Sequence, residues 1–553
     1  MSRQRWWGWG VDGHDGPLPA EGDALLSHEL GISSDRRGPP PLEALRLPRP
    51  ALAPGARSAL EAVAGSAWVR DDPFSRVSHA VGRSYPDLVR LRSGTLATAP
   101  DAVVEPGTAQ DVLEVLRACV RLDLAVVPFG GGPRVVGGVE ALRGAHTGVI
   151  ALDTGRLTGL VDVDVRSGLA TLRGGTFGPD VEAELGSHGL TLGHQPQSFE
   201  FSTVGGWVAT RSAGQASTGY GRIDDLVQGL RLAAPAGEIA TGAGPGTAAG
   251  PDLRELLVGS EGTLGVITEA TLRVRPAPGA TRFEAFGLPG FAAGTETLRA
   301  LTQAGIAATV TRLSDEEETR VNLAMAGSAR AVGALRGYLR ARGLDRPCLL
   351  VLGWEGTDAA ALRAHREDGV RVLRAHGAVA VGAKVGAAWA RNRYRGAYVR
   401  DELLTRGVLV ETLETAATWT RLLETYRAVG AALRASLSAR GTPALVGCHV
   451  SHLYVTGASL YFTFLARQEA GAELEQWHAA KAAAGDAIAA VGATITHHHG
   501  VGRDHAPWLE GEVGGLGLAL LRSAKSTLDP TGIMNPGKLL DAPPLPGMPD
   551  STA

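Results

Sequence analysis

Cysteine is scarce in this chain, with three residues among 553. Cys119, Cys348 and Cys448 lie far apart in the sequence and form no CxxC pair. So few cysteines cannot build a disulfide framework in a chain of this length, and their spacing does not suit a structural zinc site. We therefore expect a protein of a reducing compartment, of which the cytoplasm is the simplest.

The chain also lacks a marked excess of charge and a long apolar run. Its formal net charge of −3 gives no electrostatic reason to expect a nucleic acid partner. No segment is apolar over the length that a bilayer requires, and the first residues have no apolar signal core. These absences favour a cytoplasmic protein and are compatible with peripheral contact at a membrane.

The chain is long enough for at least two domains, because a single hydrophobic core stops growing well below 553 residues. Residues 1–99 are rich in Pro, Gly and Arg, and we expect them to wrap around the surface of the domains that come after them in the chain. Trp6, Trp7 and Trp9 interrupt this composition. We expect their rings to pack against the main body.

A regular pattern begins at residue 102. Val103–Val104 predicts a short strand, and Thr108 with Asp111 three residues later predicts the capped start of a helix. Leu124–Val127 predicts a buried strand that runs directly into the loop Pro128–Gly132. Strand, helix, strand and glycine loop is the order typical of nucleotide-binding domains.

Further glycine-rich segments with hydroxyl side chains lie later in the chain. Glycine lets backbone N–H groups approach a pyrophosphate without Cβ atoms in the way. Several such loops can converge on one long anionic cofactor. The alternative, a set of unrelated tight turns, does not account for the neighbouring hydroxyls. The segments are Gly174–Thr176, Gly193–Pro196, Phe199–Trp207 and Gly259–Thr268.

Three of these segments resemble the FAD-binding domain of the vanillyl-alcohol-oxidase class of flavoproteins: Pro128–Gly132, Ser202–Gly206 and Gly259–Ile267. Within that class, nearly the whole chain is similar to the alkyldihydroxyacetonephosphate synthases. The segments that carry this closer resemblance are Gly8–Gly10, Glu200–Val208, Tyr220–Gly221, Ile223–Val227, Arg312–Asp315, Tyr398–Asp401, Leu460–Phe462 and His497–Gly502.

The resemblance implies a mixed α/β (α+β) fold, with a two-subdomain FAD-binding domain and a substrate domain built on an antiparallel sheet. It implies FAD without a covalent link, since His194 stands where the synthases also hold an untethered histidine. We expect a wrapping segment over residues 1–99, the FAD domain over 100–277, the substrate domain over 278–500 and a tail over 501–553 that covers the flavin. Within the substrate domain we expect the helices Asp358–Gly377 and Thr418–Arg440.

The resemblance also implies which residues contact FAD. They come from the triple-glycine loop, from the segment around Ser202 with the helix after it, and from the loop that begins at Gly259. They are Pro128, Phe129, Gly130, Gly131, Gly132, Pro133, Arg134, Gln197, Ser198, Phe199, Glu200, Phe201, Ser202, Thr203, Thr210, Arg211, Ser212, Ala213, Glu261, Gly262, Thr263, Leu264, Gly265, Val266 and Ile267.

By the same resemblance, the chain is an enzyme of ether lipid synthesis. The family exchanges the acyl group of acyl-dihydroxyacetone phosphate for a fatty alcohol, with the flavin oxidised at the start and at the finish. In the family a tyrosine moves a proton, an arginine binds the substrate phosphate, and three histidines are essential. Carried over by position, these residues are Tyr461, Arg400, His497, His498 and His499, with Arg312 a further candidate for substrate binding.

The residues around Tyr461 agree with this assignment in part. Leu460–Phe464 alternates in character, so Tyr461 can face a site while its neighbours fill the core. The alternative is a core tyrosine with a satisfied hydroxyl. A tyrosine has a pKa of about 10, so it acts as a base only if nearby cations lower that pKa. Three imidazoles and an arginine are the cations that could do so.

The three adjacent histidines come directly after a predicted strand, Ala493–Ile495. A histidine run at a strand end suggests metal or phosphate binding. Adjacent residues of a strand point to opposite faces, so we expect contact with phosphate or flavin and no metal site. The alternative is one working histidine beside two packed ones.

The two arginines also have alternatives. Arg400 offers a planar fork suited to a phosphate, or it forms a surface ion pair with Asp401 or Glu402. Arg312 has the same alternative with Asp315, and there we favour the ion pair.

Three departures from the family leave the substrate open. Pro133-Arg134 stands where many members have Thr-Ser, and Arg134 can replace the lost hydrogen-bond donors with charge. Cys448-His449 stands where the family has Cys-Arg. Met534–Leu539 resembles the C-terminal signature of oxidases and dehydrogenases more than that of the synthases.

We therefore carry three functions. The first is the alkyl-transfer enzyme. The second is an FAD-linked oxidase or dehydrogenase of a 2-hydroxy acid or an alcohol, although Cys448–His452 lacks the Gly-Asp-Gly of the metal loop in many such dehydrogenases. The third, a non-catalytic flavin or lipid carrier, is disfavoured by the retained Tyr461, Arg400 and His497–His499. We expect a lipid-like or hydroxy-acid small molecule as substrate and a homodimer.

Overall fold

A computed structural model of the chain describes residues 4–13, 16–32, 36–326 and 328–541. The end of the predicted tail, residues 542–553, lies outside the described residues. Among the helices of the described part, none is long and apolar enough to cross a membrane.

The first sheet is the predicted nucleotide-binding unit. Its four strands have the order β1-β2-β4-β3, and β4 is parallel to both β2 and β3. Thr108 and Asp111 form the expected capping box, with mutual bonds of 3.0 Å at the start of the connecting helix. The strands are β1 Val69–Arg70, β2 Ala102–Val104, β3 Leu124–Phe129 and β4 Gly148–Asp153.

The second sheet has five antiparallel strands in the order β5-β6-β10-β8-β9, and a two-stranded ribbon lies beside it. Its strands are β5 Leu160–Asp164, β6 Leu169–Arg173, β8 Val227–Ala234, β9 Gly237–Ala240 and β10 Val266–Arg273. The ribbon consists of β7 Leu190–Thr191 and β11 Arg275–Pro276.

The third sheet has eight strands and confirms the antiparallel sheet expected after the FAD domain. The order is β15-β12-β14-β13-β17-β19-β16, with β18 paired to β19. The strands are β12 Ala280–Leu288, β13 Val310–Ser314, β14 Cys348–Gly356, β15 Val379–Gly382, β16 Val408–Thr418, β17 Ala444–Val450, β18 Leu453–Tyr454 and β19 Gly457–Arg467.

Helices cover the faces of these sheets. Both predicted helices of the substrate domain are present, as α14 and α17. The helices are α1 Ala20–Leu30, α2 Pro54–Ala64, α3 Pro73–Ser78, α4 Tyr85–Arg92, α5 Ala109–Leu122, α6 Gly178–Gly186, α7 Val204–Thr210, α8 Ser217–Tyr220, α9 Ile223–Leu226, α10 Leu253–Leu257, α11 Phe291–Gln303, α12 Glu316–Ala324, α13 Ala329–Ala341, α14 Ala359–Ala375, α15 Ala383–Asn392, α16 Gly396–Thr405, α17 Trp419–Ala439, α18 Glu473–Ala490 and α19 Leu509–Leu528.

The N-terminal segment does more than wrap the surface. Its strand β1 joins the first sheet, and Leu60 of α2 packs into the core beneath that sheet. Trp6, Leu26 and Leu88 belong to the large core beneath the third sheet. Residues before 100 therefore pack against both the first sheet and the third sheet and connect them.

Strand β19 positions the candidate catalytic residue. Phe462 and Phe464 are fully buried in the core that includes α17, whereas Tyr461 and Thr463 lie on the opposite, partly open face. The predicted alternation is confirmed. The predicted strand at Ala493–Ile495 is wrong, because this segment has no strand and leads into a bend at His497–His499.

Candidate active site

One cavity of about 510 Å³ joins the glycine loops to the third sheet. The loops after β3 and before β10 line one end, together with Ser202 and Thr203. The other end lies over β16, β17 and β19 and includes Tyr461, Arg400 and Arg312. The sequence motifs that were predicted to meet do line a common space.

The triple-glycine loop is packed too closely to accept a side chain at any of its three glycines. A Cβ on Gly131 would lie 1.6 Å from the carbonyl oxygen of Phe201, and Gly132 has a φ of +73°. Among the residues that the structure describes, none accepts a hydrogen bond from the backbone N–H of Gly130, Gly131 or Gly132. These three free N–H donors lie beside the cavity and suit the pyrophosphate of FAD. The isoalloxazine ring of FAD would supply the flavin chemistry.

Most of the predicted FAD contacts line this cavity. The lining set keeps the triple-glycine loop whole and loses only parts of the other two segments. It consists of Pro128, Phe129, Gly130, Gly131, Gly132, Pro133, Arg134, Gln197, Ser198, Ser202, Thr203, Thr210, Ser212, Ala213, Glu261, Gly262, Gly265, Val266 and Ile267.

Three predicted contacts in the middle segment lie elsewhere. Phe199 stacks on Tyr394, with 6.0 Å between ring centroids. Glu200 accepts a hydrogen bond from the hydroxyl of Tyr398. Phe201 lies behind the glycine loop and presents its carbonyl to Gly131. Residues 199–201 form a short 3₁₀ turn, and none of the three lines the cavity.

Arg211, Thr263 and Leu264 also lie outside the cavity lining. Arg211 ends α7 in a left-handed conformation and forms ion pairs with Asp224 and Glu255. The hydroxyl of Thr263 donates to a backbone carbonyl, and Leu264 packs in the core of the second sheet. All three hold the loops in place and do not line the cavity.

Arg134 does not present free charge to the cavity. Its guanidinium forms an ion pair with Glu261, a residue with the strained φ of +55°. Glu261 also accepts hydrogen bonds from the backbone N–H groups of Val501 and Gly502. The expectation that Arg134 replaces the missing donors with charge is therefore modified, since Glu261 neutralises that charge.

Tyr461 faces the cavity from the centre of β19. Burial raises the pKa of its hydroxyl to about 12, so the phenol is protonated near neutral pH. Burial also lowers the pKa values of His497, His498 and His499, which are therefore neutral. The expectation that these imidazoles lower the tyrosine pKa is wrong, because neutral rings supply no positive charge.

The three histidines are held by Glu414, which sequence reasoning did not identify. Its fully buried carboxylate accepts hydrogen bonds from the backbone N–H groups of all three residues, His499 at 2.9 Å among them. Burial alone would raise the pKa of Glu414, but that pKa is lowered well below its usual value, and the backbone N–H of His499 contributes to the lowering. Glu414 lies opposite Tyr461 in the β16–β19 register, so one carboxylate places the histidine loop beside the tyrosine.

The histidine side chains point in different directions. His498 and His499 line the cavity, whereas His497 does not. The His497 Nε2 atom is 2.6 Å from the hydroxyl of Tyr454, and its Nδ1 atom is 2.9 Å from Nδ1 of His498. The bend therefore gives two histidines to the site and one to its support.

Ring nitrogens of His452, His497 and His498 lie within 4.8 Å of one another, a spacing that a metal ion could use. Two of these nitrogens already face each other across 2.9 Å. Burial and the positive charge of Arg222 both lower the pKa values of His452 and His497, and that charge also opposes a divalent cation. The absence of a metal from this site stays a prediction. The rule that adjacent strand residues point to opposite faces does not support it, because His497–His499 form a bend.

The two candidate arginines differ in their partners. Arg312 pairs with Glu318 at 2.9 Å, and not with Asp315 as expected. Arg400 forms no ion pair with any residue in the described ranges, and its buried Nε has no hydrogen-bond partner there. Asp401 instead accepts from the backbone N–H of Trp9. Arg400 is therefore the arginine that is available to an anion in the cavity.

Three further lining residues, Trp9, Glu318 and His449, were not predicted as site residues from the sequence. Trp9 reaches the cavity from the N-terminal segment, and its indole N–H has no partner among the described residues. Glu318 and His449 line it from α12 and β17. For Trp9 the Gly8–Gly10 resemblance was a signal. For Glu318 nothing in the sequence distinguished it from the neighbouring acidic residues.

His194 lies outside the cavity lining. Its Nε2 atom is 2.8 Å from the hydroxyl of Ser212, its ring packs on Trp207, and burial lowers its pKa to about 3. These contacts account for the histidine as a support for the loop. Residues 500–541, the described part of the predicted tail, likewise do not line the cavity. Asn535 supports the Glu261 loop by donating to the Glu261 backbone carbonyl.

Comparison with known families defines the class. An FAD binding domain matches residues 100–242, and the C-terminal domain of FAD linked oxidases matches residues 277–539. The structure of p-cresol methylhydroxylase, at 14% identity and a TM-score of 0.68 over 88% of this chain and 96% of that one, shares the fold. The chain is thus an FAD-dependent enzyme of the vanillyl-alcohol-oxidase fold.

More similar relatives define the family. The alkyldihydroxyacetonephosphate synthase of Trypanosoma brucei brucei is 34% identical over 542 residues, which cover 96% of this chain and 87% of that one. That of Dictyostelium discoideum is 33% identical over 85% of this chain and 78% of its own length. A solved synthase of this name has a TM-score of 0.84 at 28% identity, covering 96% of this chain and 98% of its own. The chain belongs to the alkyldihydroxyacetonephosphate synthase family.

Proposed function

We propose that this protein exchanges the acyl group of acyl-dihydroxyacetone phosphate for a long-chain alcohol, in an FAD-dependent reaction without net redox change. The observation that carries the proposal is a cavity that combines an unpaired arginine, Arg400, with an apolar end. A phosphate ester with a long alkyl chain requires both features. A 2-hydroxy acid requires only the first.

The apolar end runs along the register of the third sheet. Val410 of β16, Leu445 of β17 and Leu465 of β19 form one row of neighbours and all line the cavity. Leu465 is four residues from Tyr461, so the row lies roughly 13 Å along the strand from the tyrosine. This distance suits an extended hydrocarbon chain whose reacting end lies at Tyr461.

The polar end suits the dihydroxyacetone phosphate part. Arg400 offers a planar guanidinium that binds phosphate through two parallel hydrogen bonds. Tyr461 is protonated near neutral pH and serves as a proton donor or relay at the reacting carbon. His498 and His499 supply neutral imidazoles in the same wall.

A flavin-linked dehydrogenase is the competing function, and one more distant relative has the name of such an enzyme. The glycolate oxidase subunit GlcD of Bacillus subtilis is 25% identical over 80% of this chain and 89% of its own length. The apolar row over the third sheet favours the lipid substrate over a small hydroxy acid.

One experiment separates the two functions. The purified holoenzyme is mixed under anaerobic conditions with acyl-dihydroxyacetone phosphate and hexadecanol, and separately with a series of 2-hydroxy acids. We expect alkyl product with the flavin absorbance unchanged at the end, and no bleaching by the hydroxy acids. Bleaching by a hydroxy acid without alkyl product would replace the proposal with the dehydrogenase.

Peripheral membrane contact and a homodimer stay predictions. Vesicle sedimentation tests the first, and equilibrium ultracentrifugation tests the second.

A further inference from the structure

A carboxylate and an imidazole form a hydrogen-bonded pair in the cavity wall. Nδ1 of His449 lies 2.8 Å from Oε1 of Glu318, and both side chains are buried and line the cavity. Arg312 donates to the same oxygen at 2.9 Å. Neither Glu318 nor His449 has a role in the function proposed above.

The charges fix the tautomer of the imidazole. Burial alone would raise the pKa of Glu318, but the charge of Arg312 and the hydrogen bond with His449 lower it, so the group is a carboxylate. A carboxylate only accepts hydrogen bonds, so Nδ1 of His449 carries the proton and Nε2 carries a lone pair. Within the described part of the chain, Nε2 has no hydrogen-bond partner.

His449 lies directly beside the candidate catalytic tyrosine. The two residues are opposite each other in the β17–β19 register, and their rings stack with 4.7 Å between centroids. Burial lowers the pKa of His449 and raises that of Tyr461 to about 12. The neutral imidazole of His449, which can accept a proton, therefore lies beside the protonated phenol of Tyr461, which can donate one. Neighbouring groups whose pKa values are shifted apart in this way commonly serve as the base and the acid of one reaction.

We propose that His449, oriented by Glu318, accepts the hydroxyl proton of the incoming alcohol. This inference rests on the proposed alkyl exchange. In that exchange a bond forms between the alcohol oxygen and the substrate carbon, and the bond from that carbon to the acyl oxygen breaks, releasing a carboxylate. The alcohol proton passes to Nε2 of His449 and then to solvent. No electrons are gained or lost overall. Glu318 is a positioning residue, since it acts through His449.

The test compares His449→Gln, Glu318→Gln and His449→Ala with the parent enzyme, with His478→Gln as the control on α18, outside the cavity. Each holoenzyme is assayed for alkyl product across pH, beside its flavin absorbance. We expect His449→Gln to lose roughly a hundredfold in turnover with flavin retained, because general base help is worth that much. Glu318→Gln should lose less, and His478→Gln should behave as the parent.

Two readouts separate a base from a structural residue. Added imidazole should restore part of the turnover of His449→Ala, since it can occupy the space and accept the proton. The decline of the parent rate in acid, where His449 is protonated, should be absent in His449→Gln. An unrescued His449→Ala together with an unchanged pH profile in His449→Gln would overturn the base. Near-parent turnover of His449→Gln would do the same. A parent enzyme without alkyl exchange would refute the proposed function, and this inference with it.

Discussion

At the scale of single residues, burial sets the protonation states of the site. The phenol of Tyr461 stays protonated, and the imidazoles of His498 and His499 stay neutral. The tyrosine therefore begins as a donor, which reverses the expectation of a cation-activated base. Arg400 is the cavity arginine whose charge no described carboxylate pairs.

Replacing Tyr461 with Phe tests the tyrosine. The ring and its packing stay, so the free energy of unfolding should change by about 1 kcal/mol, the net value of one hydrogen bond. Turnover should fall roughly a hundredfold or more, because general acid–base help is lost. The measurement is alkyl exchange beside flavin absorbance, with Tyr338→Phe on the exposed face of α13 as the control. Near-parent turnover with full flavin content would contradict the assignment.

Replacing Arg400 with Met tests phosphate binding. Hydrogen bonds to a charged group contribute about 1.5–3 kcal/mol, so the Kd for dihydroxyacetone phosphate should rise roughly tenfold to a hundredfold. Titration calorimetry on the holoenzyme measures this change. Arg371→Met, on the exposed side of α14, is the matched control. An unchanged Kd would place the phosphate elsewhere.

At the scale of elements, the sequence predicted what local pattern determines. The capping box at Thr108 and the alternation around Tyr461 depend on residues a few positions apart, and both are present. The histidine bend could not be predicted, because its shape depends on Glu414, 83 residues before His497. The Glu318–His449 pair likewise joins residues 131 positions apart. Contacts of this range depend on strand order, which the local pattern does not specify.

Replacing Glu414 with Gln tests the histidine bend. The lost charge–amide bonds should lower the free energy of unfolding by about 1.5–3 kcal/mol at pH 7. The folded pKa of Glu414 is depressed, so its contribution is complete above the unfolded value of about 4.3 and is lost as pH falls toward the folded pKa. Thermal unfolding of the parent and the variant between pH 7 and pH 3 should show a gap that narrows in acid.

The histidines add a pH dependence of their own, which the negative charge of Glu414 moderates in the parent because it raises the histidine pKa values against burial. Their folded pKa values are lowered, so both proteins should lose stability as pH falls below about 6.5, where unfolded histidines bind protons. Glu367→Gln, an exposed carboxylate on α14, is the control and should behave as the parent. A gap between the parent and Glu414→Gln that does not change with pH would mean that Glu414 has no depressed pKa.

At the scale of the molecule, the cavity exists only because distant segments meet. The glycine loops belong to the first two sheets, Tyr461 belongs to the third, and Trp9 comes from the N-terminal segment. FAD bound in the glycine loops would therefore lie between the first two sheets and the third sheet. A ligand that binds only the folded state stabilises it by about 2.7 kcal/mol at a hundred times its Kd.

The last prediction concerns how the flavin is held. His194 lies outside the cavity lining and is already bonded to Ser212, so no link to the flavin is expected. Acid precipitation should release the yellow colour to the supernatant, and re-added FAD should raise the unfolding midpoint of the apoprotein. Gly131→Ala should abolish that rise, because its Cβ would lie 1.6 Å from the Phe201 carbonyl oxygen, whereas Gly186→Ala meets open space and should keep it. Colour retained in the pellet would show a covalent flavin, and a full response from Gly131→Ala would remove the glycine loop from the FAD site.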